Sequence, residues 1–179
     1  MNRVWDPLVR LLHWTLVGAV TIAWTSTLHI GVPGHWHETA GFVAMGAVAL
    51  RVLWGFVGPR HARFASFVRG PLPTLSYLKL MRRGQAPRYI GHNPLGAWMV
   101  LALLLTLGTI TFIGWLQTTD EFWGSEPLEA MHTVLAWGLL ALIALHVMGV
   151  VHTSVHQREN LVRAMLNGRK RPKQAGDVD

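Results

Sequence analysis

The sequence contains no cysteine. That absence excludes disulfides, thiolate metal centres, iron–sulfur clusters and thioether-attached haem together. Charge is also scarce: 14% of the 179 residues are Asp, Glu, Lys or Arg, against about a quarter in an ordinary soluble domain. Acids are rarer than bases, nine against sixteen, for a net +7 at neutral pH. The basic residues flank apolar runs instead of forming a patch of their own, so the sign of the charge reads as membrane topology and not as a nucleic-acid partner.

What fills the chain is apolar. Hydrophobic residues make up 51% and mean hydropathy is +0.31. Four runs, about 8–28, 38–57, 95–116 and 129–153, are each long enough to cross a hydrocarbon core of ~30 Å. The expected fold is an all-α integral membrane protein, a four-transmembrane-helix bundle. It forms one domain over 1–170 with a short polar tail at 171–179, expected to be disordered from Asn167 on. Asp6-Pro7 reads as a helix start, the acid as N-cap and proline in the first helical position. The first run has no small-residue cleavage site after it and carries its own histidine, so it is expected to be retained. Between the second and third spans lies a long basic loop. Its Pro73–Arg83 stretch predicts a short amphipathic helix in the interface. The fourth helix is expected to run on through Arg158 to Met165.

Lysine and arginine are absent from both short connectors, 29–37 and 117–128. Fifteen of the sixteen fall on the other side of a four-span arrangement: Arg3 and Arg10, seven in the 58–94 loop and six beyond Gln157. Both termini and the long loop are therefore expected to be cytoplasmic. The opposite face is acidic, with Glu38, Asp120, Glu121, Glu126 and Glu129. Trp5, Trp36, Trp54, Trp98, Trp115 and Trp123 fall near span ends and read as interface anchors.

The sixteenth cation, Arg51, sits inside a span, as do several histidines. His132 and His146 are fourteen residues apart. At ~100° and ~1.5 Å per residue they return to nearly the same helix face, ~40° off, ~21 Å apart along the axis. His37 lies at the outer end of the second span and His13 near the inner end of the first. Depth therefore pairs His37 with His132 and His13 with His146. Imidazoles are not kept in a membrane without partners. Two bis-imidazole sites suit haem iron; structural hydrogen bonding, proton relay and ligation of a transported metal ion remain open beside it. Arg51 follows His37 by the same fourteen residues, at about the depth of the inner pair, where a haem propionate would match its charge. Gly18, Gly41, Gly138 and Gly149 lie within about two turns of these histidines. His35 is the rival to His37 as outer ligand. His152 is off the face of His132 and His146, and His156 is expected at the boundary; neither is expected to be a ligand.

The stretches Val4-Trp-Asp-Pro-Leu-Val-Arg-Leu-Leu-His-Trp14, His37-Glu-Thr-Ala-Gly41, Leu50-Arg-Val-Leu-Trp-Gly-Phe-Val-Gly58, Gly91-His-Asn-Pro-Leu-Gly96, the His132 and His146 pair and Arg158–Lys170 resemble the bacterial cytochrome b561 family. That family includes the b-type cytochrome subunits of nickel–iron hydrogenases. The resemblance implies two non-covalent haem b groups held by His13, His37, His132 and His146. No fifth span of the kind seen in larger hydrogenase-linked members is present, which points to a short stand-alone member. The function implied is electron transfer across the bacterial inner membrane between the quinone pool and a periplasmic redox partner such as a cytochrome c. A stand-alone superoxide:quinone oxidoreductase is the alternative, with quinone as substrate. Against it, connectors without Lys or Arg offer no cationic funnel for an anion. The third reading is a haem-free metal-ion or proton transporter. It lacks a mid-membrane carboxylate to build a relay.

Overall fold

Asp6 begins the first helix, α1 (Pro7–Thr27). Its Oδ1 accepts from the backbone N–H of Leu8 at 3.0 Å and of Val9 at 3.1 Å, and Pro7 stands where a missing N–H costs nothing. The computed structural model describes residues 2–28 and 33–178; the connector residues His29, Ile30, Gly31 and Val32 lie outside the described residues. After α1 come α2 (Trp36–Val57), α3 (Phe64–Phe67), α4 (Pro71–Arg82), α5 (Pro94–Leu116), α6 (Glu126–His156) and α7 (Leu161–Asn167). Two short strands, β1 (Asn2–Arg3) and β2 (Arg169–Lys170), pair antiparallel.

Helices α1, α2, α5 and α6, of 21, 22, 23 and 31 residues, are long and apolar enough to cross a membrane. They match the four expected spans to within three residues at each end. Exposed Leu11, Leu105 and Val134 fit helices whose outer faces meet hydrocarbon instead of water.

The chain divides into two compact units. One comprises Leu11–Val52 and Leu103–Ile143. Its centre is Val48, Leu107, Ile110 and Leu139, with Leu16, Val20, Leu103 and Leu135 packed around them. Within lipid such packing is favoured by dispersion and close fit more than by exclusion of water. Trp24 of α1 meets Trp137 of α6 edge to face, centroids 5.2 Å apart.

The other unit comprises Met1–Arg10, Leu53–Ala102 and Ala144–Asp179. Val4, Trp5, Ile90 and Ala164 form its core. Trp5 is therefore not the interface anchor its position suggested: its ring is buried and lies tilted against His92, centroids 4.7 Å apart and planes at 57°. Trp54 donates its indole N–H to the same Asp6 Oδ1 that caps α1, at 3.2 Å. The expected amphipathic helix is α4, starting two residues early at Pro71. Its exposed Leu72 and Leu75 and its basic Lys79 and Arg82 suit an interfacial position.

Two expectations fail in this unit. The fourth helix does not run on to Met165. It stops at His156, Arg158 takes a left-handed φ of 48°, and Asn160 starts α7 by accepting from the Arg163 N–H at 2.7 Å. The Ser154 hydroxyl takes up the Leu161 N–H at 3.3 Å, giving the first N–H of α7 a partner across the break. Nor is the stretch after Asn167 disordered. The Gly168 carbonyl accepts from Val4 N–H at 2.8 Å and Trp5 N–H at 3.2 Å. Arg88 bridges Glu159 at 2.7 Å and Asp177 at 2.6 Å, and all three side chains are buried. Val178 exchanges backbone hydrogen bonds with Arg88 and Ile90. A polar composition suggested a free tail; a buried guanidinium with two carboxylates fixes it instead.

Candidate functional site

His37 sits in the first turn of α2 and His132 in the second turn of α6, both in the unit that contains Val48 and Leu139. Their rings face each other with centroids 6.0 Å apart and planes at 60°. The Nδ1 of His37 lies 3.0 Å from the Ala23 carbonyl of α1. A carbonyl can only accept, so this Nδ1 carries a proton, and in the neutral ring that tautomer leaves the Nε2 lone pair for a ligand. That is the arrangement in which a ligating imidazole is held by an outer partner. The His132 Nδ1 is buried and has no hydrogen bond of normal geometry among the described residues, though the Ile110 backbone lies close enough to act on the ring.

An imidazole nitrogen binds a first-row metal at about 2 Å. Adding the ring radius places two rings on opposite sides of one ion about 6 Å apart, the separation seen here. Two neutral imidazoles without a third donor suit an ion whose remaining positions another group fills. No cluster of three or more His, Asp or Glu that could hold a bare metal ion occurs among the described residues.

The glycines near these histidines divide into two kinds. A Cβ at Gly18, Gly41 or Gly138 would meet nothing within 4 Å, so the backbone there leaves room for a flat group to come close. Gly114 of α5 is different: a Cβ would lie 3.2 Å from His132 Cε1, so the His132 ring rests on the α5 backbone. Arg51 is buried, 6% exposed, in the same unit. His35 is exposed, its ring tilted against Trp36 at 5.8 Å. Of the two rivals, the structure brings only His37 to His132.

His13 is half-buried on α1, its ring edge-on to Trp14 at 5.1 Å. His146 is half-buried on α6 and belongs to the unit that holds Trp5 and Ile90. Three features were not foreseen: the Ala23 carbonyl, the Gly114 contact and the placing of His92 between Trp5 and Phe67, the latter at 4.4 Å. Gly114 alone had a signal, a glycine at the depth of His132 on a neighbouring span. A backbone carbonyl leaves none.

The family model for prokaryotic cytochrome b561 matches residues 4–168. Among curated proteins, the chain is 27% identical to a probable Ni/Fe-hydrogenase B-type cytochrome subunit of Rhodobacter capsulatus, over 93% of this chain and 80% of that protein. It is 24% identical to the protein so described in Azotobacter vinelandii, over 92% and 86%. For the one in Bradyrhizobium diazoefficiens the identity is 21%, over 93% and 85%. No solved structure matches.

Proposed function

Because the chain belongs to the prokaryotic cytochrome b561 family, a family of multi-pass inner-membrane b-type cytochromes, we propose that it carries electrons through two non-covalent haem b groups. In this reading His37 with His132 would hold one haem iron and His13 with His146 the other. The observation that carries it is the first pair: two imidazoles 6.0 Å apart, one with its tautomer set by Ala23. The second pair rests on helical phase, His146 following His132 by fourteen residues on nearly one face.

Haem b, when bound, supplies one-electron chemistry between ferrous and ferric iron. The chain's residues supply position and environment. His37, His132, His13 and His146 hold. Ala23 fixes the orientation of the His37 ring. Gly18, Gly41, Gly138 and Gly149 admit a macrocycle edge, since a Cβ at each meets nothing within 4 Å. Arg51 offers a buried cation to a propionate. The four apolar helices keep water from the centres.

The long basic loop and both termini face the cytoplasm, by the fifteen-to-none distribution of Lys and Arg. The donor or acceptor on the acidic outer face is then a periplasmic redox protein such as a cytochrome c or a redox-complex subunit, and the membrane-side couple is quinone. The relatives are described as cytochrome subunits of a hydrogenase, which makes such a complex a second partner to test.

The test is a pyridine haemochrome spectrum against protein on the detergent-purified chain. Two b haems per chain are expected, and one after His37→Ala, His132→Ala, His13→Ala or His146→Ala. Two haems retained and reducible in His146→Ala overturn the pairing; no haem in wild type made with adequate haem supply overturns the function. In proteoliposomes, quinol should reduce the protein and an external c-type cytochrome should reoxidise it. Superoxide-driven quinone reduction without that partner would favour the oxidoreductase reading instead.

A further inference from the structure

The last turns of α6 carry an outward stripe of Val147, Met148, Val151 and Val155, each more than half exposed. Two histidines interrupt it. His152 and His156 are both exposed, and their rings stack with centroids 4.4 Å apart and planes at 21°. Residues four apart on a helix lie one turn above each other on one face, so this stacking follows from the backbone. It leaves a problem of polar groups. Neither ring has a hydrogen bond to protein among the described residues, and Met148, Val151 and Val155 are exposed beside them along the helix. Polar groups at the edge of a membrane helix are retained where something meets them.

As stacked, the two rings hold their in-plane lone pairs parallel; both side chains are exposed one turn apart, so rotation about their χ angles brings one nitrogen of each to a single ion. A histidine pair at this spacing on one helix face is the protein's simplest chelate for a borderline transition-metal ion. Imidazole suits zinc and copper(II), and the remaining coordination positions can be filled by water. The nearest carboxylate along the chain is not a competing partner: Glu159 is buried on Arg88 at 2.7 Å and on Arg171 at 3.4 Å. We propose that His152 and His156 form a surface site for one divalent transition-metal ion at the end of α6, separate from the histidines assigned to haem. The site does not depend on that assignment.

Zinc is the probe. The chain is purified with its haem complement through a tag that contains no histidine, and Zn²⁺ is titrated calorimetrically. The wild type should bind one Zn²⁺ per chain. His152→Ala and His156→Ala should each weaken binding at least tenfold, with the visible haem spectrum unchanged. A third variant, His156→Gln with Gln157→His, keeps the number of histidines but turns the second ring off the face; it should lose binding equally. Wild-type affinity in that variant, or in either alanine variant, overturns the proposal, as does the absence of stoichiometric binding by the wild type. A second measurement needs no substitution. Zn²⁺ should protect His152 and His156, and not the exposed His35, from carbethoxylation mapped by mass spectrometry. Equal modification with and without zinc also overturns it.

Discussion

Replacing Lys170 by methionine isolates the energetic consequence of a buried ammonium in the unit that ties the chain's two ends together. Lys170 lies in β2 and is 5% exposed. Its ammonium donates to the Gly91 carbonyl at 3.3 Å and stands 5.3 Å from the centre of the Trp5 ring. Burial pushes its pKa down from 10.5 to about 8; the Glu159 charge opposes this shift and Arg88 adds to it. A shift of that size corresponds to about 3 kcal/mol of cost carried by the charged form. In the unfolded chain the lysine titrates near its ordinary value, so between pH 8 and 10.5 the unfolded state binds more protons than the folded one. Stability must then rise with pH across that window. Below pH 8 both states are charged and the full cost is present; above 10.5 both are neutral and it is gone. Methionine keeps the aliphatic stem against Trp5 and removes the titration. It also loses the Gly91 hydrogen bond, worth about 1 kcal/mol. At pH 7 Lys170→Met should therefore be more stable than wild type by about 2 kcal/mol, and the advantage should shrink steadily towards pH 10.5. Chymotryptic cleavage at Trp5 and Tyr89, followed from pH 7 to 10.5 as the ratio of the two proteins, reads this directly. Parallel pH profiles for the two proteins would refute the reasoning.

Three further expectations follow from close contacts. Gly168 has φ +77°, and a Cβ there would lie 2.7 Å from the Trp5 carbonyl oxygen; Gly168→Ala should cost about 1–3 kcal/mol and speed cleavage at Trp5. In Gly114→Val the added side chain must displace the His132 ring, which a Cβ would meet at 3.2 Å. On the proposed two-haem assignment, the midpoint potential of the haem assigned to His37 and His132 should shift and the other stay, by redox titration. Arg88→Leu leaves Glu159 and Asp177 buried without their shared cation, at about 3–5 kcal/mol. Adding Asp177→Asn should recover part of the lost melting temperature.

The parts of the fold legible in the sequence were those governed by repetition. Apolar runs of twenty or so residues mark α1, α2, α5 and α6 because lipid demands that length, and Asp6-Pro7 marks a start because caps are local chemistry. His37 and His132 were paired by depth alone, and their rings are 6.0 Å apart. The missed features depend on distant residues or on backbone. Trp5 looks like an interface tryptophan until Ile90 and Ala164 cover it. The end of α6 at His156 has no proline or glycine to announce it; the left-handed turn falls on Arg158. The link from Arg88 to Asp177 joins two polar segments, neither of which carries an apolar period to signal order.

The β1–β2 ribbon also fixes an order of events. Asn2 pairs with Lys170, and Arg3 with Arg169, partners nearly the whole described chain apart. At ribosomal rates of roughly 5–20 residues per second, β1 waits on the order of ten to thirty seconds for its partner. All four membrane helices emerge in that interval. The ribbon can close only on a chain that has already been made through α6 and α7, so an intact ribbon reports synthesis past β2. A chain stalled inside α6 would leave Val4 and Trp5 uncovered, an apolar signal for quality control.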